Sequence, residues 1–228
     1  MARRGVLYIV WGDKAAAALE RSRRSLAQHH PELPVDVVRI ETAIDPCLAL
    51  IEKSKMMERS PFEETLFLDA DTVVLGRLDF AFEKAARYGL ACAISECPWA
   101  RKYGKSIKGD AIEYSTGVLF FTRQAAPVFA AWQRLAPLLD SSAPVVYDGK
   151  MQGVQPYNDQ CAFAAALEET GYLPFILPLN WNFRPAFQKS FFGPIRIWHD
   201  YQDPPQIYFD IAKYYQSDDA IVQYVELK

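Results

Sequence analysis

The chain has 228 residues, half of them apolar and 14% aromatic, which suits a single globular domain. Its net charge of −3 at pH 7 provides no basic surface that would indicate nucleic-acid binding. The N-terminal apolar run, residues 6–11, is too short for a membrane span or for the core of a signal peptide.

Strands and helices alternate along the predicted chain, and the first strand–helix–strand unit is typical of the start of a Rossmann-like sheet. In chain order the predicted elements are strand 6–11, helix 14–30, strand 35–40, helix 45–59, a strand ending near 68, an apolar run 72–75, helix 79–88, strand 90–95, strand 117–122, helix 124–139, helix 158–169, strand 173–179, strand 195–198, a short helix after 203 and a last strand 221–227. His29 and His30 are expected at the surface.

Two long loops are predicted within this pattern, at residues 96–112 and 140–156. The first is basic, and a loop of that length in a compact domain is often functional. A mobile flap and a plain solvated loop therefore both remain open. The four cysteines form no Cys-x-x-Cys pair, so we expect reduced residues in a cytoplasmic protein. Peripheral attachment to the inner membrane face is left open.

The stretch from Leu66 to Leu75 carries the strongest functional signal. It predicts a buried strand of a parallel sheet, followed by Asp69 and Asp71. Because a buried strand cannot hold two ionised carboxylates, we expect both at its carboxyl end, where open α/β sheets bind ligands. Convergent carboxylates form half of an Mg²⁺ or Mn²⁺ site. A solvated turn is the alternative, since about one Asp-x-Asp arises by chance at this composition.

Lysine and histidine residues supply further candidates. Lys53 and Lys55 are separated by about 200° on a helix, so only one of them can face a given ligand. His199 follows an apolar strand and is adjacent to Asp200. A neutral imidazole there could complete a two-Asp, one-His set for Mn²⁺. Surface lysines and a core histidine are the alternatives.

Two strand and helix ends add small or polar residues. Gly117 follows a polar segment at the start of a predicted strand, where it would let a ligand or another backbone approach closely. Asn158 is placed to cap the helix that begins with Asp159 and Gln160. An acidic residue is favourable at a helix N-terminus, so a purely structural Asp159 is the alternative.

Taken together, these segments resemble GT-A-fold glycosyltransferases, in particular the glycogenin-like and galactosyltransferase-like family 8 group and bacterial nucleotide-diphospho-sugar transferases. The resemblance follows the chain order and rests on these segments: 6–12, Lys55 with Ser60-Pro61, 66–76, 115–121, Asp159-Gln160, 177–182 and 195–199. It implies an α/β fold in one GT-A domain over 1–228, with a mostly parallel sheet flanked by helices. It also implies a nucleotide-sugar-binding half, 1–122, and a half that binds the acceptor and completes the metal site, 123–228.

The resemblance implies a hexosyltransferase that uses Mn²⁺ or Mg²⁺ and a nucleotide-diphosphate sugar, expected to be a UDP-sugar, with an unknown saccharide, lipid or protein as acceptor. The metal ligands it implies are Asp69, Asp71 and His199. Asp159 and Gln160 match a pair near the transferred sugar. The implied donor-binding residues are Val10, Trp11, Gly12, Lys55, Ser115 and Gly117.

Two departures from the family pattern stand out. Ser115 replaces the usual Asn, and Asp200-Tyr201-Gln202 follows His199 where Gly and then Lys-Pro-Trp are usual. Arg184, Lys189 or the basic loop could replace the missing lysine. Two other functions are considered: a haloacid-dehalogenase-like phosphatase with Asp69 as nucleophile, and a non-catalytic nucleotide-sugar or carbohydrate-binding protein. The absence of the expected distal motifs disfavours the phosphatase.

Overall fold

The computed structural model describes residues 3–12, 15–40, 50–96, 112–139, 143–147, 149–155, 158–212, 214 and 224–227. Most of the predicted flap, the start of the second predicted helix, Cys47 and Cys97 lie outside these residues. The described strands are β1 (Arg4–Trp11), β2 (Val35–Ile40), β3 (Glu64–Leu68), β4 (Thr72–Val74), β5 (Leu90–Ile94), β6 (Tyr114–Thr122), β7 (Ala143–Tyr147), β8 (Lys150–Gln155), β9 (Phe175–Leu177), β10 (Ser190–Phe192), β11 (Ile197–His199) and β12 (Tyr224–Glu226).

The helices occupy the intervals that the sequence predicts: helix 79–88 has the predicted bounds, helix 158–169 is shifted by one residue, and the other described helices are shorter. The described α-helices are α1 (Ala16–His29), α2 (Met56–Arg59), α3 (Asp79–Tyr88), α4 (Ala126–Leu135), α5 (Asp159–Thr170) and α6 (Gln206–Ala212). The second predicted helix is not continuous, because residues 50–52 are helical and a 3₁₀ turn at Lys53–Lys55 separates them from α2. No described helix is both long and apolar enough to cross a membrane.

The central sheet has six strands in the order β2-β1-β3-β6-β5-β9. β1 pairs in parallel with β2 and β3, and β5 pairs in parallel with β9, while β6 is antiparallel to β3 and β5. The predicted mostly parallel α/β sheet is therefore confirmed. Because β6 is reversed, its N-terminal residues lie beside the carboxyl end of β3, where the Asp-x-Asp stretch begins.

Alternation along the strands divides the core between the two faces of the sheet. On one face Phe67 and Leu119 pack with Trp132 of α4 and Phe163 of α5. On the other face the apolar side chains of β1, β3 and β6 pack with α1 and α3; this cluster includes Val6, Tyr8, Leu66, Leu68, Val118, Phe120, Leu26 and Phe82. Burial at both faces explains why these strands are almost continuously apolar in the sequence.

A short ladder outside the central sheet joins the two halves of the predicted metal site. β4 pairs antiparallel with β11, with Thr72 opposite His199. His199 is thus the last residue of its strand, one position later than the sequence predicts. This register sets the histidine directly beside the turn that contains Asp71.

Two expectations are wrong. The predicted loop 140–156 contains the β7–β8 hairpin, and Gly149 has the positive φ (72°) of a tight turn. The dipeptide Asp148-Gly149 is a strong hairpin signal that loop length concealed. His30 is not at the surface: it is 2% exposed, and its Nε2 accepts a hydrogen bond from the Leu78 amide at 2.8 Å. The end of α1 packs against the turn that precedes α3, and this long-range contact buries a residue that the sequence places at the surface.

Candidate active site

The two aspartates lie where β3 ends, in the turn that leads to β4. The Asp69 amide donates to the carbonyl of Gly117 at 2.8 Å, so β6 continues to hold the chain after β3 ends. The Thr72 hydroxyl donates to the Asp69 carbonyl at 2.8 Å and closes the turn. This geometry fixes the backbone of both aspartates and turns their side chains toward the same cleft.

His199 faces both carboxylates with one ring nitrogen. Its Nε2 lies 3.2 Å from Oδ1 of Asp71 and 3.8 Å from Oδ2 of Asp69. Its Nδ1 is 2.7 Å from Oδ1 of Asn182, whose Nδ2 donates to the Ser115 hydroxyl at 2.6 Å. Because the amide oxygen faces Nδ1, that nitrogen is placed to donate to Asn182, and Nε2 is the ring nitrogen directed at the carboxylates and available to a ligand.

Asp69, Asp71 and His199 form a donor set suited to a divalent cation. One ligand atom from each lies within 4.8 Å of the others, and this is the metal-competent group that the described residues contain. Carboxylates with an imidazole suit Mn²⁺, and carboxylates alone suit Mg²⁺. The Asn182 bond orients the imidazole from behind, as outer-shell partners of metal-binding histidines do. The residues present therefore fit such an ion.

Lys53 places a buried cation between two aspartates. Its side chain is 6% exposed, and its Nζ lies 3.0 Å from Oδ1 of Asp69 and 2.8 Å from Oδ2 of Asp159. Asp159 also accepts a hydrogen bond from the Thr116 hydroxyl at 2.5 Å. Lys55, two residues later, is 41% exposed and pairs with Glu52. Of the two lysines, Lys53 is therefore the one at the carboxylates, and a donor-binding role for Lys55 stays a prediction.

The local charges separate the pKa values of the acidic groups. Burial raises the pKa of Asp69 despite the opposing effects of Lys53 and His199. Burial also acts to raise the pKa of Asp159, but Lys53 outweighs it and holds that pKa below the ordinary value. For Lys53 itself, burial is outweighed by the two carboxylates, so the pKa of its ammonium group is raised. Lys53 and Asp159 thus form an ionised pair beside Asp69, whose charged form is disfavoured by burial.

Gly117 is required by the packing of the site. A Cβ at this position would lie 2.4 Å from Cε1 of His199 and 2.7 Å from Oδ2 of Asp69. The close approach that the sequence predicts is therefore made by the side chains of two candidate ligands. Ser115 lies on the same strand, and its hydroxyl supports Asn182, which orients His199. Its predicted role in donor binding stays a prediction.

Gln160 and Arg184 form a second polar group in the same cleft. Arg184 donates to Oε2 of Glu96 at 2.9 Å, to the Ser95 hydroxyl at 3.0 Å and to Oε1 of Gln160 at 3.3 Å. Gln160 in turn donates to Ser95 at 3.1 Å. Arg184 is therefore an already paired cation, and Lys189, the other suggested replacement for the missing lysine, lines a separate cavity.

Two adjoining cavities meet at the aspartates. One of about 370 Å³ is lined by both aspartates, His199, Lys53 and Asp159, together with Phe187 and Tyr201. The other, of about 290 Å³, is lined by Val10, Trp11 and Tyr201 and shares both aspartates and Lys53. Gly12 follows directly after β1 with a φ of 62°. The predicted donor-binding residues at the end of β1 thus lie on the opposite side of the aspartates from Asp159 and Gln160.

Helix α1 supports the Asp-x-Asp turn, and sequence reasoning missed this role. Ser22 Oγ lies 2.9 Å from Thr72 Oγ1, and Ser25 Oγ accepts from the Val74 amide at 2.9 Å. Both serines are buried. Buried serines three positions apart in an otherwise Ala- and Arg-rich helix were the available signal, because such hydroxyls need partners.

No family model and no curated protein matches this sequence. Solved structures do match: mouse xyloside xylosyltransferase 1 has a TM-score of 0.56 at 13% identity, covering 89% of this chain and 99% of that chain. The galactosyltransferase LgtC, in complex with donor and acceptor sugar analogues, has a TM-score of 0.54 at 12% identity over 95% and 98% of the two chains. The chain has the GT-A fold.

A third GT-A structure, the glycosyltransferase GlyE of Streptococcus pneumoniae TIGR4, gives a TM-score of 0.56 at 16% identity. Here 89% of this chain corresponds to 55% of GlyE, so the chain spans about half the length of that protein. At such identities the likeness establishes the fold. In this GT-A fold the Asp69–Asp71 turn lies at the carboxyl end of β3, with β6 and β11 beside it.

Proposed function

We propose that the protein is a metal-dependent glycosyltransferase that moves a sugar from a nucleotide-diphosphate sugar, expected to be a UDP-sugar, to a saccharide, lipid or protein acceptor. The observation that carries the proposal is the convergence of Asp69, Asp71 and His199 on one point of a GT-A fold. LgtC, which was solved with donor and acceptor sugar analogues, supports a nucleotide-sugar site in this cleft.

Asp69, Asp71 and Nε2 of His199 would hold Mn²⁺ or Mg²⁺. When bound, such an ion stabilises the negative charge that the leaving nucleoside diphosphate gains as the glycosidic bond breaks. The chain contributes the orientation: Asn182 keeps the Nδ1 proton of His199 in place, so its Nε2 lone pair is directed into the site.

Asp159 and Gln160 would act on the sugar side. The anomeric carbon develops oxocarbenium character in glycosyl transfer, and the Asp159 carboxylate is kept ionised by Lys53 and Thr116. Gln160 is oriented by Ser95 and Arg184, which fixes its amide for a hydroxyl group. These contacts support a role in positioning the transferred sugar.

The remaining predicted residues would bind two parts of the donor. Val10, Trp11 and Gly12 would border the nucleotide base, and Ser115, Gly117 and Lys55 would border the donor. We keep the proposal of one domain over 1–228, with residues 1–122 forming the donor-binding half. Residues 123–228 would complete the metal site through His199 and carry the acceptor-binding surface.

A thermal-shift and calorimetric comparison tests the proposal. UDP and a panel of UDP-sugars are titrated with and without Mn²⁺, and we expect stabilisation that depends on both, because a ligand of the folded state stabilises by mass action. Asp71→Ala should abolish the Mn²⁺-dependent part of UDP binding. Asp210→Ala, which removes an exposed carboxylate of α6, is the matched control and should bind like the wild type.

The same samples separate the alternatives. UDP release from the preferred donor in the presence of candidate acceptors indicates transfer. Donor binding without hydrolysis or transfer to any acceptor would favour a non-catalytic binding protein, and hydrolysis of a generic phosphoester that is lost in Asp69→Asn would favour the phosphatase. Mn²⁺-dependent UDP binding that is unchanged by Asp71→Ala refutes the assignment of the site.

A further inference from the structure

Arg21 of α1 reaches the backbone on both sides of the candidate metal site. Its Nη1 donates to the Tyr201 carbonyl at 2.5 Å and lies 3.3 Å from Oδ1 of Asp203. Its Nη2 donates to the Asp71 carbonyl at 3.3 Å and also to the Asp200 carbonyl. The side chain is 15% exposed. One guanidinium therefore contacts both the backbone of Asp71 and the backbone of the segment that follows His199.

These two segments are also joined through their backbones. The Asp200 amide donates to the Asp71 carbonyl at 3.0 Å, and the β4–β11 ladder consists of three residue pairs that end at Thr72 and His199. Arg21 is the contact that joins Asp71, Asp200 and Tyr201 at the same time. A planar guanidinium with several fixed N–H donors can hold diverging carbonyls in this way, whereas a lysine ammonium is a point charge on a flexible stem.

The helix that carries Arg21 is itself fixed to the site. The next residue, Ser22, bonds to the Thr72 hydroxyl, and Ser25 bonds to the Val74 amide. α1 also packs into the sheet through Leu19 and Leu26. The guanidinium therefore has a defined position relative to the turn, and the helix has enough other contacts to stay in place without it.

We propose that Arg21 is a positioning residue that sets the separation of Asp71 and His199 and thereby the affinity of the cation site. The inference rests on the proposed function, because it requires that these residues bind a divalent ion. Partners behind the ligands typically change metal affinity by about 10–100-fold when they are removed. Arg21 differs from such partners in holding the backbone of ligand-bearing segments rather than a ligand side chain.

The test is a titration of the full chain with Mn²⁺ alone and with Mn²⁺ plus UDP. Binding is measured as the decrease of the electron paramagnetic resonance signal of the free ion. Arg21→Gln should weaken Mn²⁺ binding by at least about tenfold. Arg21→Lys should give an intermediate loss, because one ammonium cannot hold all the carbonyls. Arg24→Gln, the same change at an exposed residue of the same helix, should bind like the wild type.

A second measurement on metal-free protein separates positioning from general destabilisation. Hydrogen exchange in Arg21→Gln should become faster at the amides of residues 200–203, while exchange in β1 and β3 stays as in the wild type. A general loss of stability would instead speed exchange in those strands as well, and that pattern would overturn the proposal. If Arg21→Gln does not fold, Arg21→Lys is judged by the same two criteria.

The outcomes distinguish this inference from the proposed function. If the wild type binds Mn²⁺ and Arg21→Gln binds it as tightly as Arg24→Gln does, the positioning role is wrong and the cation site stands. If the wild type binds no Mn²⁺ with or without UDP, the cation site fails and the role of Arg21 fails with it. Weaker binding in Arg21→Gln with local exchange at residues 200–203 supports the proposal.

Discussion

Replacing Gly117 by alanine tests whether the close packing of the site is essential to it. The added methyl carbon would lie 2.4 Å from Cε1 of His199 and 2.7 Å from Oδ2 of Asp69. Neither the strand nor the ring can easily withdraw. β6 is buried between β3 and β5, and the imidazole is held by Asn182 at 2.7 Å.

The size of the effect follows from this geometry. An ordinary contact needs about 3.4 Å, so the ring or the strand must move by roughly 1 Å, whereas metal–ligand distances tolerate only about 0.2 Å. Overpacking lowers the free energy of unfolding by about 1–3 kcal/mol. The reduced entropy of the unfolded chain offsets about 0.4–1 kcal/mol of this loss. We expect Gly117→Ala to lose about 1–2 kcal/mol of stability, to lower Tm by about 2–8 °C, and to weaken Mn²⁺ binding at least about tenfold.

The assay combines thermal unfolding in EDTA with Mn²⁺ titration. Gly76→Ala is the matched control, because its Cβ would lie 2.7 Å from Nη1 of Arg196, the end of a side chain that can move away. The control should bind Mn²⁺ normally. Wild-type Mn²⁺ affinity in Gly117→Ala would show that the ion does not depend on Asp69 and His199, and the reasoning about the site would be wrong.

Two further substitutions probe the groups around the ligands. Lys53→Met should destabilise the metal-free protein by about 3–5 kcal/mol, because it leaves Asp69 and Asp159 facing each other without their shared cation. Urea unfolding in EDTA measures this loss of stability, and an unchanged unfolding midpoint would contradict the prediction. Asn182→Ala should weaken Mn²⁺ binding about 10–100-fold, because the His199 ring loses the partner that orients it. Asn182→Asp keeps an acceptor for Nδ1 and should retain most of the affinity for Mn²⁺. Equal losses of affinity in the two variants would contradict the orienting role of Asn182.

Much of the central fold could be predicted because it rests on patterns of period and burial. The apolar β1 and β3 strands, the β1–α1–β2 unit and the Asn158 cap of α5 are all local signals, and the cap is formed by the Asn158 side chain accepting from the Cys161 amide at 3.0 Å. The β7–β8 hairpin was missed because the length of the interval 140–156 outweighed the Asp-Gly turn signal within it. Helix ends were predicted less well, because the last turns of helices fray and a periodic pattern does not fix the terminal residues.

The site was predictable to the extent that its residues end strands. Asp69, Asp71 and His199 met this condition, and the register of β4 with β11 brings them together. Which lysine faces the carboxylates was not predictable, because it depends on a 3₁₀ turn at Lys53–Lys55 that helical spacing does not anticipate. The supporting roles of Asn182 and Arg21 could not be predicted from the sequence either. Their roles depend on contacts between segments far apart in the sequence: Asn182 ends the segment 177–182, for which the resemblance implies no site role, and Arg21 lies outside the resembling segments.

The charges gathered at the site indicate how the ligands would bind. Asp69, Asp71 and Asp159 supply three carboxylates, and Lys53 supplies the one ammonium group that contacts two of them. Three carboxylates beside one lysine leave an excess of negative charge, and burial of the Asp69 carboxylate raises its pKa. A diphosphate would enter this field only against repulsion. A divalent cation removes that repulsion, so we expect it to bind before the nucleotide or together with it.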